Sequence, residues 1–567
     1  MILQPILDLA SICAQNGVKH VILSPGSRCA PLTLAFARHP DIHCRTIADE
    51  RSAAFIALGM AQQLGKPVVL VCTSGSAALN YGPAVAEAYF QQIPLLVITA
   101  DRPAEWIDQW DGQTIRQPNV FGSHIKASYN FPDEFSHPDK IWHAHRISNE
   151  SINLAAAFPQ GPVHLNVPLR EPFYPEEGEQ FTFDSKIGIV SEIQGAMAIS
   201  EEAKQVIKTA LERLDKVLIV PGQQRPDDDV AEILSRLVSG QQVVVVADVI
   251  SNLQSQETVT YHDFFLGNTE KDEAFYPDLV ISFGKSIISK SLKLFLRKSK
   301  AEHWHIQAGG YSPDTYQSLC KHIHAEPIDF LQFLEEQLPP GDRDFHRQWY
   351  EREQISRTAF PDLLNQSDFG EFKALYMCFN ALPSPAKVHL ANSMPVRYAN
   401  YVGIRNPRQE VVCNRGTSGI DGSSSTAVGC TFTTKEPVVL FTGDMAFFYD
   451  RNAFWHNYNL SNLRIILLNN HAGGIFRLIN GPAGQPELEE YFETAQRLNA
   501  SFLAEEHGFE YHQVAEEADL RRVLENFYQS SIKPKILEIT SESKVNARIL
   551  KAAKAGFHKV YENKIGG

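Results

Sequence analysis

The sequence predicts an α/β protein built from three doubly wound parallel-sheet domains. Short apolar runs alternate with amphipathic segments at the spacing of βαβ units, and this pattern occurs in three successive regions. The chain has 567 residues, which is enough for about three or four domains of ordinary size. Hydrophobic residues make up 44% and charged residues 21%, as is typical of a globular protein. No fixed-period repeat is visible, which argues against a solenoid.

Bulk properties exclude several classes of function. Lys and Arg number 52 against 66 Asp and Glu, and the resulting net charge of −14 disfavours binding to nucleic acids or anionic membranes. No apolar run approaches the length of a membrane span, and the first residues lack a basic segment and a cleavage site, so we expect a cytoplasmic protein. The eight cysteines are dispersed without a CxxC pair, which argues against a zinc site or a disulfide framework.

Residues 1–175 are predicted to form the first domain. An amphipathic segment at 2–14 precedes strands at 18–23, 42–47, 68–71 and 95–98, with helical segments at 51–63 and 77–89. The loops after these strands carry Arg28, Glu50, Ser74, Gly75 and Arg102. Ligands of open α/β sheets bind outside the carboxyl ends of the strands, so we expect these loops to line one crevice. Ordinary turns would explain the glycines and prolines there, but not the placement of Arg28, Glu50 and Arg102 at strand ends.

Two further regions repeat the pattern. A polar, acidic stretch at 175–192 is typical of a linker, and the second domain is predicted at 190–340, with strands at 217–220, 243–246 and 279–282. A second break at 339–342 precedes the third domain, predicted at 350–567. Its expected strands are 388–390, 411–413, 438–441, 465–468 and 536–539.

The common nucleotide-binding motifs are missing. No GxGxxG motif occurs, because Gly416, Gly419 and Gly422 have the wrong spacing for a Rossmann fingerprint. Gly284-Lys285-Ser286 resembles the end of a P-loop, but Leu279 occupies the position of its first glycine. Dehydrogenase and NTPase functions are therefore disfavoured.

Two polar segments follow neighbouring apolar runs in the third region. Asp444 follows the strand at 438–441, and Asn470 follows the strand at 465–468, with a helical segment expected at 451–458. Adjacent parallel strands would bring both side chains to one edge of the sheet, where hard oxygen ligands and a substrate diphosphate would suit Mg²⁺. Gly443 would let the backbone approach that diphosphate closely. Taken in isolation, an N-cap Asp and a turn Asn would explain the same residues.

The segment from Gly443-Asp444 to Asn469-Asn470 resembles the cofactor-binding motif of the thiamin diphosphate-dependent enzyme superfamily. The resemblance implies that Asp444, Asn470 and the Ala472 carbonyl hold Mg²⁺ or Mn²⁺. It also implies that Glu50, at a strand end in the first domain, promotes the cofactor tautomer that removes the C2 proton. Two departures are Met445, where the superfamily commonly has glycine, and a short spacer. The implied cofactor contacts also include Ser74, Gly75, Gln117, Gly419, Ile420, Gly443, Met445, Ala446 and Gly473.

Within the superfamily, the loops at 24–28, 73–77, 100–103, 115–118, 392–397 and 414–422 together resemble the carboligases of menaquinone biosynthesis. That resemblance implies decarboxylation of 2-oxoglutarate and 1,4-addition of the succinyl carbanion to isochorismate. Both substrates are dicarboxylates, and arginine binds carboxylates bidentately. The implied substrate residues are Arg28, Arg102, Gln117, Lys290, Ser393, Arg397 and Arg415. Lys285 and Lys293 remain alternatives to Lys290, and Ile420, a candidate support for the bent cofactor, would otherwise be plain core.

Two other functions remain open at this point. One is a different carboligase or decarboxylase of the superfamily, similar to acetolactate synthase, although the arginines favour a dicarboxylate. The other is a catalytically silent binding protein, which the presence of both Glu50 and Asp444 disfavours. The superfamily resemblance further implies a homodimer or homotetramer in which Glu50 of one chain faces Asp444 of another.

Overall fold

The computed structural model describes residues 3–183, 186–193, 195, 198–266 and 273–565. The chain divides into two compact units. One contains Met1–Gln194 together with Asn414–Lys435 and Ala446–Leu463, and the other contains Gly195–Cys413, Glu436–Met445 and Arg464–Gly567. Two segments from the predicted third domain thus belong to the first unit, and the predicted boundaries at 175, 190, 340 and 350 remain predictions.

The first unit is built on a parallel six-stranded sheet. Its strands are β1 (His20–Leu23), β2 (His43–Thr46), β3 (Val68–Cys72), β4 (Leu95–Asp101), β5 (Ser128–Asn130) and β6 (Pro162–Pro168), in the spatial order β2-β1-β3-β4-β6-β5. The flanking helices are α1 (Gln4–Gln15), α2 (Ala30–Arg38), α3 (Glu50–Leu64), α4 (Ser76–Asn80), α5 (Gly82–Gln91) and α6 (Pro138–Ala156). Strands β3 and β4 are fully buried, as expected for the centre of a doubly wound sheet.

The second unit contains two more parallel sheets. The first has β7 (Val217–Pro221), β8 (Val244–Val245), β9 (Leu279–Phe283), β10 (Glu302–Ile306) and β11 (Leu319–Ile323), in the order β11-β10-β9-β7-β8. Its helices are α7 (Glu201–Leu211), α8 (Asp228–Ser239), α9 (His262–Phe265), α10 (Lys290–Ser299) and α11 (Pro327–Gln337). Hydrophobic clusters cover both faces of this sheet.

The last sheet carries the strands that follow residue 380. They are β12 (Ala386–Leu390), β13 (Gln409–Val412), β14 (Val438–Gly443), β15 (Leu463–Asn469), β16 (Glu510–Val514) and β17 (Lys535–Thr540), in the order β13-β12-β14-β15-β17-β16. The helices in this part of the chain are α12 (Arg343–Asn365), α13 (Glu371–Asn380), α14 (Met394–Val402), α15 (Ser423–Thr431), α16 (Asp444–Tyr449), α17 (Ser501–Glu506), α18 (Glu517–Phe527) and α19 (Ser543–Ile565).

The predicted fold class is confirmed, since three parallel sheets flanked by helices follow one another along the chain. The predicted strands all occur, but β5, β6, β10, β11 and β16 were missed. Their sequences, such as EHWHI in β10 and EYHQV in β16, mix polar and histidine residues into the apolar pattern. The helix expected at 451–458 is wrong: α16 begins at Asp444, directly after β14, and a short 3-10 turn at Arg451–Phe454 follows.

The segment predicted as a linker belongs to the first unit. Phe181, Phe183, Ile187 and Ile189 pack against its hydrophobic core. The Asn149 side chain donates to the Gly188 carbonyl over 3.1 Å and accepts from the Val190 amide over 3.0 Å. The sequence analysis predicted a linker because the segment at 175–192 is mostly polar and acidic, and its few apolar side chains are widely spaced.

Two glycines bring helices α3 and α15 into close contact inside the first unit. A Cβ atom on Gly59 would lie 2.1 Å from the Thr426 carbonyl oxygen, and one on Gly429 would lie 2.1 Å from the Ile56 carbonyl oxygen. Any larger residue at either position would push the helices apart.

A membrane span would need a long apolar helix, and none occurs in the described ranges.

Candidate active site

The first unit presents Glu50 at the beginning of helix α3. The Asp49 side chain caps this helix by accepting from the Arg51 amide over 2.9 Å and the Ser52 amide over 3.2 Å. Glu50 is thus the first residue of the helix that follows the loop after β2, close to the strand end where the sequence analysis placed it. Its half-buried carboxylate forms no hydrogen bond or ion pair with any described residue. It is therefore available to a ligand.

The loop after β3 is held in place by Gln117. The Gln117 side chain is fully buried, and its amide oxygen accepts from the Gly75 amide over 3.1 Å. Its amide nitrogen donates to Thr99 Oγ1, the Ala100 carbonyl and Asn166 Oδ1. Gly75 has φ of +87°, a conformation that favours glycine. Both ends of the Gln117 amide are thus used to hold the loop.

Two neighbouring hydroxyls of that loop lack partners. Thr73 Oγ1 and Ser74 Oγ are buried, and neither atom forms a hydrogen bond within the described part of the chain. Buried polar atoms are nearly always paired in folded proteins, so unpaired ones at a strand end indicate a ligand-binding position.

Arg28 and Arg102 bring two positive charges together at the same edge. The Arg28 guanidinium donates to the Leu169 carbonyl over 2.6 Å and lies 4.7 Å from the centre of the Phe173 ring. Burial and the neighbouring Arg102 both lower the pKa of Arg28. Arg102 pairs with Asp111 over 3.0 Å, but its buried Nε has no hydrogen-bond partner among the described residues. Like charges held this close favour binding of an anion.

The segment containing Arg415, Gly419 and Ile420 is fastened to helix α5. The buried Glu87 carboxylate accepts from the Gly416 amide over 2.7 Å, and from the amide and the hydroxyl of Thr417 over 2.6 Å each. Glu87 is a residue that the sequence analysis missed, since a glutamate within a helix carries no signal for such a distant contact.

The second unit carries the Asp444 and Asn470 pair. Strands β14 and β15 are neighbours and end at Gly443 and Asn469, so the two polar residues follow adjacent strand ends as predicted. Asp444, Met445 and Ala446 begin helix α16. Asp444 is only 2% exposed, and burial raises the pKa of its carboxyl to about 6. Gln496 donates to it over 2.7 Å.

A buried glutamate fixes the orientation of Asn470. Asn470 Nδ2 donates to Glu371 Oε1 over 2.6 Å, while its oxygen accepts from the Ala472 amide over 3.0 Å. Burial raises the pKa of Glu371 to about 7, and the nearby Asp444 adds to this effect. Glu371 begins helix α13, far from the motif in sequence, so the motif spacing gave no sign of it.

The residues after Asn470 lead into a cavity of about 420 Å³. Its walls include Ile475, Leu478 and Ile479, which follow the Ala472-Gly473 turn. The basic side chains lining it are Lys290, Arg397 and Lys554. Lys285 and Lys293 do not line it, so of the three lysines considered from sequence, the geometry favours Lys290. Ser393 precedes helix α14 with φ of +74°, and its carbonyl accepts from Arg397 Nη1 over 2.6 Å.

Asn400 joins the two helices that carry Lys290 and Arg397. Its Nδ2 donates to Asp248 Oδ1 and Asp263 Oδ2, over 3.1 Å each. Asp248 also accepts from the Ser289 amide over 3.0 Å, and Asp263 accepts from the Ser289 hydroxyl over 2.5 Å. These buried bonds set the position of Lys290, the first residue of α10, relative to α14.

The chemistry of these residues fits a diphosphate cofactor with a metal. Asp444, Asn470 and the Ala472 carbonyl offer three hard oxygen donors, the type that Mg²⁺ and Mn²⁺ prefer. Within the described ranges, no three or more His, Cys, Asp or Glu side chains are arranged to hold a metal, so amide and carbonyl oxygens would have to contribute. The space beside Gly443 is open, with no atom within 4 Å of where a Cβ would stand.

Three family models match successive parts of the chain. Residues 8–124 match "Thiamine pyrophosphate enzyme, N-terminal TPP binding domain", residues 196–387 match "Middle domain of thiamine pyrophosphate", and residues 393–539 match "Thiamine pyrophosphate enzyme, C-terminal TPP binding domain". Thiamine pyrophosphate is another name for thiamin diphosphate. The fold and these matches define the class: this is a thiamin diphosphate-dependent enzyme of the carboligase type.

Curated relatives define the family more narrowly. The chain is 45% identical to the 2-succinyl-5-enolpyruvyl-6-hydroxy-3-cyclohexene-1-carboxylate synthase of Cytophaga hutchinsonii, over 99% of this chain and 100% of that protein. It is 39% identical to the synthase of that name from Christiangramia forsetii (96% and 97% covered) and 37% identical to that of Porphyromonas gingivalis (96% and 95% covered). The chain belongs to this family of synthases.

Proposed function

We propose that the enzyme decarboxylates 2-oxoglutarate and adds the resulting succinyl unit to isochorismate in a 1,4-addition, releasing CO₂. The product would be 2-succinyl-5-enolpyruvyl-6-hydroxy-3-cyclohexene-1-carboxylate, an intermediate of menaquinone biosynthesis. The observation that carries this proposal is the cavity beside the Asn470–Gly473 turn, which is lined by Lys290 and Arg397. Two cations against an apolar wall suit a dicarboxylate far better than a monocarboxylate such as pyruvate.

Each unit carries residues that we assign to cofactor binding. In the first unit, Glu50 would hydrogen-bond the cofactor's pyrimidine ring, near the unpaired hydroxyl of Ser74 and the Gly75 loop held by Gln117. In the second unit, Asp444, Asn470 and the Ala472 carbonyl would hold Mg²⁺ or Mn²⁺ against the diphosphate. The remaining assigned contacts are Gly419, Ile420, Gly443, Met445, Ala446 and Gly473. When bound, thiamin diphosphate supplies the nucleophile and the electron sink of the reaction.

The chain's own residues would bind and orient the two substrates. Lys290, Ser393 and Arg397 in the second unit would bind substrate carboxylates and hydroxyls, as would Arg28, Arg102 and Arg415 in the first. The close pair Arg28 and Arg102 supports this role, because a bound anion would offset both the cost of burying the Arg28 charge and the repulsion between the two guanidinium groups. The apolar walls would exclude water and so favour loss of the charged carboxylate as CO₂.

Location and assembly are part of the proposal. None of the eight cysteines, all of which lie in the described ranges, forms a disulfide bond, which fits a cytoplasmic enzyme in a reducing compartment. Membership of the family supports a homodimer or homotetramer.

The test uses purified protein with thiamin diphosphate, Mg²⁺, 2-oxoglutarate and isochorismate. We expect loss of isochorismate absorbance and release of one CO₂ per isochorismate consumed. Replacing 2-oxoglutarate by pyruvate should abolish most of the turnover. Equal or faster reaction with pyruvate would instead indicate an acetolactate synthase-like enzyme, and cofactor binding without any turnover would indicate a silent protein.

A further inference from the structure

Helix α19 contributes a basic residue to the cavity that the sequence analysis did not single out. Leu550 and Lys554 lie one turn apart on the same helix face, and both line the cavity. Leu550 is buried, and Phe557 of the same helix stacks on Phe264 with ring centres 3.9 Å apart. The helix is therefore anchored on both sides of Lys554, next to the helix that carries Asp263.

The Lys554 ammonium has no strong partner of its own. It is half-buried and forms no hydrogen bond or ion pair with any residue that the structure describes. The ammonium lies over the face of the Tyr401 ring, 5.1 Å from its centre, which is a weak cation–π interaction. Burial lowers the pKa of this lysine, and the attraction of Asp263 offsets part of that effect.

Asp263 attracts Lys554 by its charge, but both of its oxygens already accept hydrogen bonds from other residues. One of its oxygens accepts from the Ser289 hydroxyl over 2.5 Å, and the other accepts from Asn400 over 3.1 Å. The cavity therefore holds three basic side chains and one carboxylate that is already engaged. In a protein with a net charge of −14, such a local excess of positive charge favours binding of an anion.

We propose that Lys554 is a third carboxylate-binding residue of this cavity and contributes to selection of dicarboxylates over monocarboxylates. The proposal rests on the proposed function, because it names a further contact for the same substrates. Lys290 at the start of α10, Arg397 on α14 and Lys554 on α19 approach the cavity from three different helices. A ligand with two carboxylates could thus be held at both ends, whereas a monocarboxylate would leave a half-buried cation unpaired.

The first experiment measures KM on the full-length holoenzyme. Lys554→Met removes the charge and keeps the side-chain length, Lys554→Arg keeps the charge, and Lys559→Met alters an exposed lysine of the same helix as a matched control. We expect Lys554→Met to raise KM for at least one of the two dicarboxylates by about tenfold to a hundredfold, with unchanged thiamin diphosphate affinity. Lys554→Arg and Lys559→Met should stay close to wild type.

The second experiment needs neither a variant nor turnover. Wild-type holoenzyme is reductively methylated and each lysine is read by peptide mass spectrometry, with glutarate, with butyrate or without addition. Glutarate has the two carboxylates of 2-oxoglutarate but no ketone, and butyrate has one. Glutarate should protect Lys554 and leave Lys559 reactive, while butyrate should protect neither.

Unchanged KM values in Lys554→Met would overturn the proposal, as would equal methylation of Lys554 with and without glutarate. A loss of thiamin diphosphate affinity at unchanged KM would make Lys554 a cofactor residue and would equally contradict it. Failure of the proposed function is a separate result: the wild type would then not consume isochorismate, while the methylation experiment could still be read.

Discussion

The unpaired carboxylate of Glu50 allows a sharp test at the scale of one residue. Glu50→Gln keeps size and helix position but cannot share a proton with the cofactor's pyrimidine ring. We expect near-normal binding of thiamin diphosphate and metal, with turnover reduced by about a hundredfold or more. The measurement is C2 proton exchange of bound cofactor, by NMR after acid quench. Exchange at the wild-type rate would remove Glu50 from the reaction.

We expect Asp444 to contribute to binding of the metal and of thiamin diphosphate, and not only to turnover. Asp444→Ala removes the one carboxylate among the proposed metal ligands, so the diphosphate would lose its bridge to the protein. We expect metal and thiamin diphosphate affinities to fall by at least about tenfold to a hundredfold, measured by calorimetry. Asp519→Ala, a change at a half-exposed carboxylate on α18, is the control. Unaltered cofactor affinity would show that Asp444 only begins its helix.

Glu371 should act through Asn470. Glu371→Ala would leave Asn470 Nδ2 without its acceptor, so the amide could turn and withdraw its oxygen from the metal position. Residues that orient metal ligands typically change metal affinity by about tenfold to a hundredfold. We therefore expect weaker Mn²⁺ binding by electron paramagnetic resonance, with kcat recovering at high metal concentration. A kcat that stays low at saturating metal would indicate a different role.

Residue types and spacing revealed only part of the site. The motif segments containing Asp444 and Asn470 were recognisable because both follow apolar strands. Glu87, Glu371 and Lys554 were not, because each lies within or at the start of a helix, where charged residues are common. Their role depends on contacts with residues about one hundred positions away or more, or on a cavity built from several helices.

At the scale of elements, the contact between α3 and α15 depends on small residues. Gly59→Ala would place a methyl group 2.1 Å from the Thr426 carbonyl oxygen, and backbone cannot yield as a flexible side chain can. Overpacking of this kind typically costs about 1–3 kcal/mol, so we expect a lower thermal midpoint and weaker activity, since α3 begins with Glu50. Gly82→Ala, where no atom lies within 4 Å, is the matched control. Equal midpoints for the two variants would contradict the contact.

Element boundaries were predicted best where one physical signal dominated. Buried central strands such as β3 and β15 are continuous apolar runs, and their positions matched closely. The prediction of a helix at 451–458 was wrong because the chain passes directly from β14 into α16, which begins at Asp444. Local composition does not show where a strand gives way to a helix.

At the scale of the whole molecule, assembly can be tested by mixing variants. Our prediction, from family membership, is that Glu50 of one chain faces Asp444 of another. Co-expressed Glu50→Gln and Asp444→Ala chains would then form mixed dimers with one doubly altered and one intact site. Random pairing should restore about a quarter of all sites. Activity no higher than that of the separate variants, with mixed dimers verified by mass spectrometry, would place both residues in one chain's site.

The sequence by itself determined the fold class, the order of the three parallel sheets and the class of cofactor, because these depend on local periodicity and on short motifs. Only the tertiary structure decided which lysine lines the cavity, that Asn400 joins the helices of Lys290 and Arg397, and that Glu371 orients Asn470. It also decided that segments 414–435 and 446–463 pack into the first unit. These features arise from contacts between distant parts of the chain, and such contacts leave no periodic trace in the sequence.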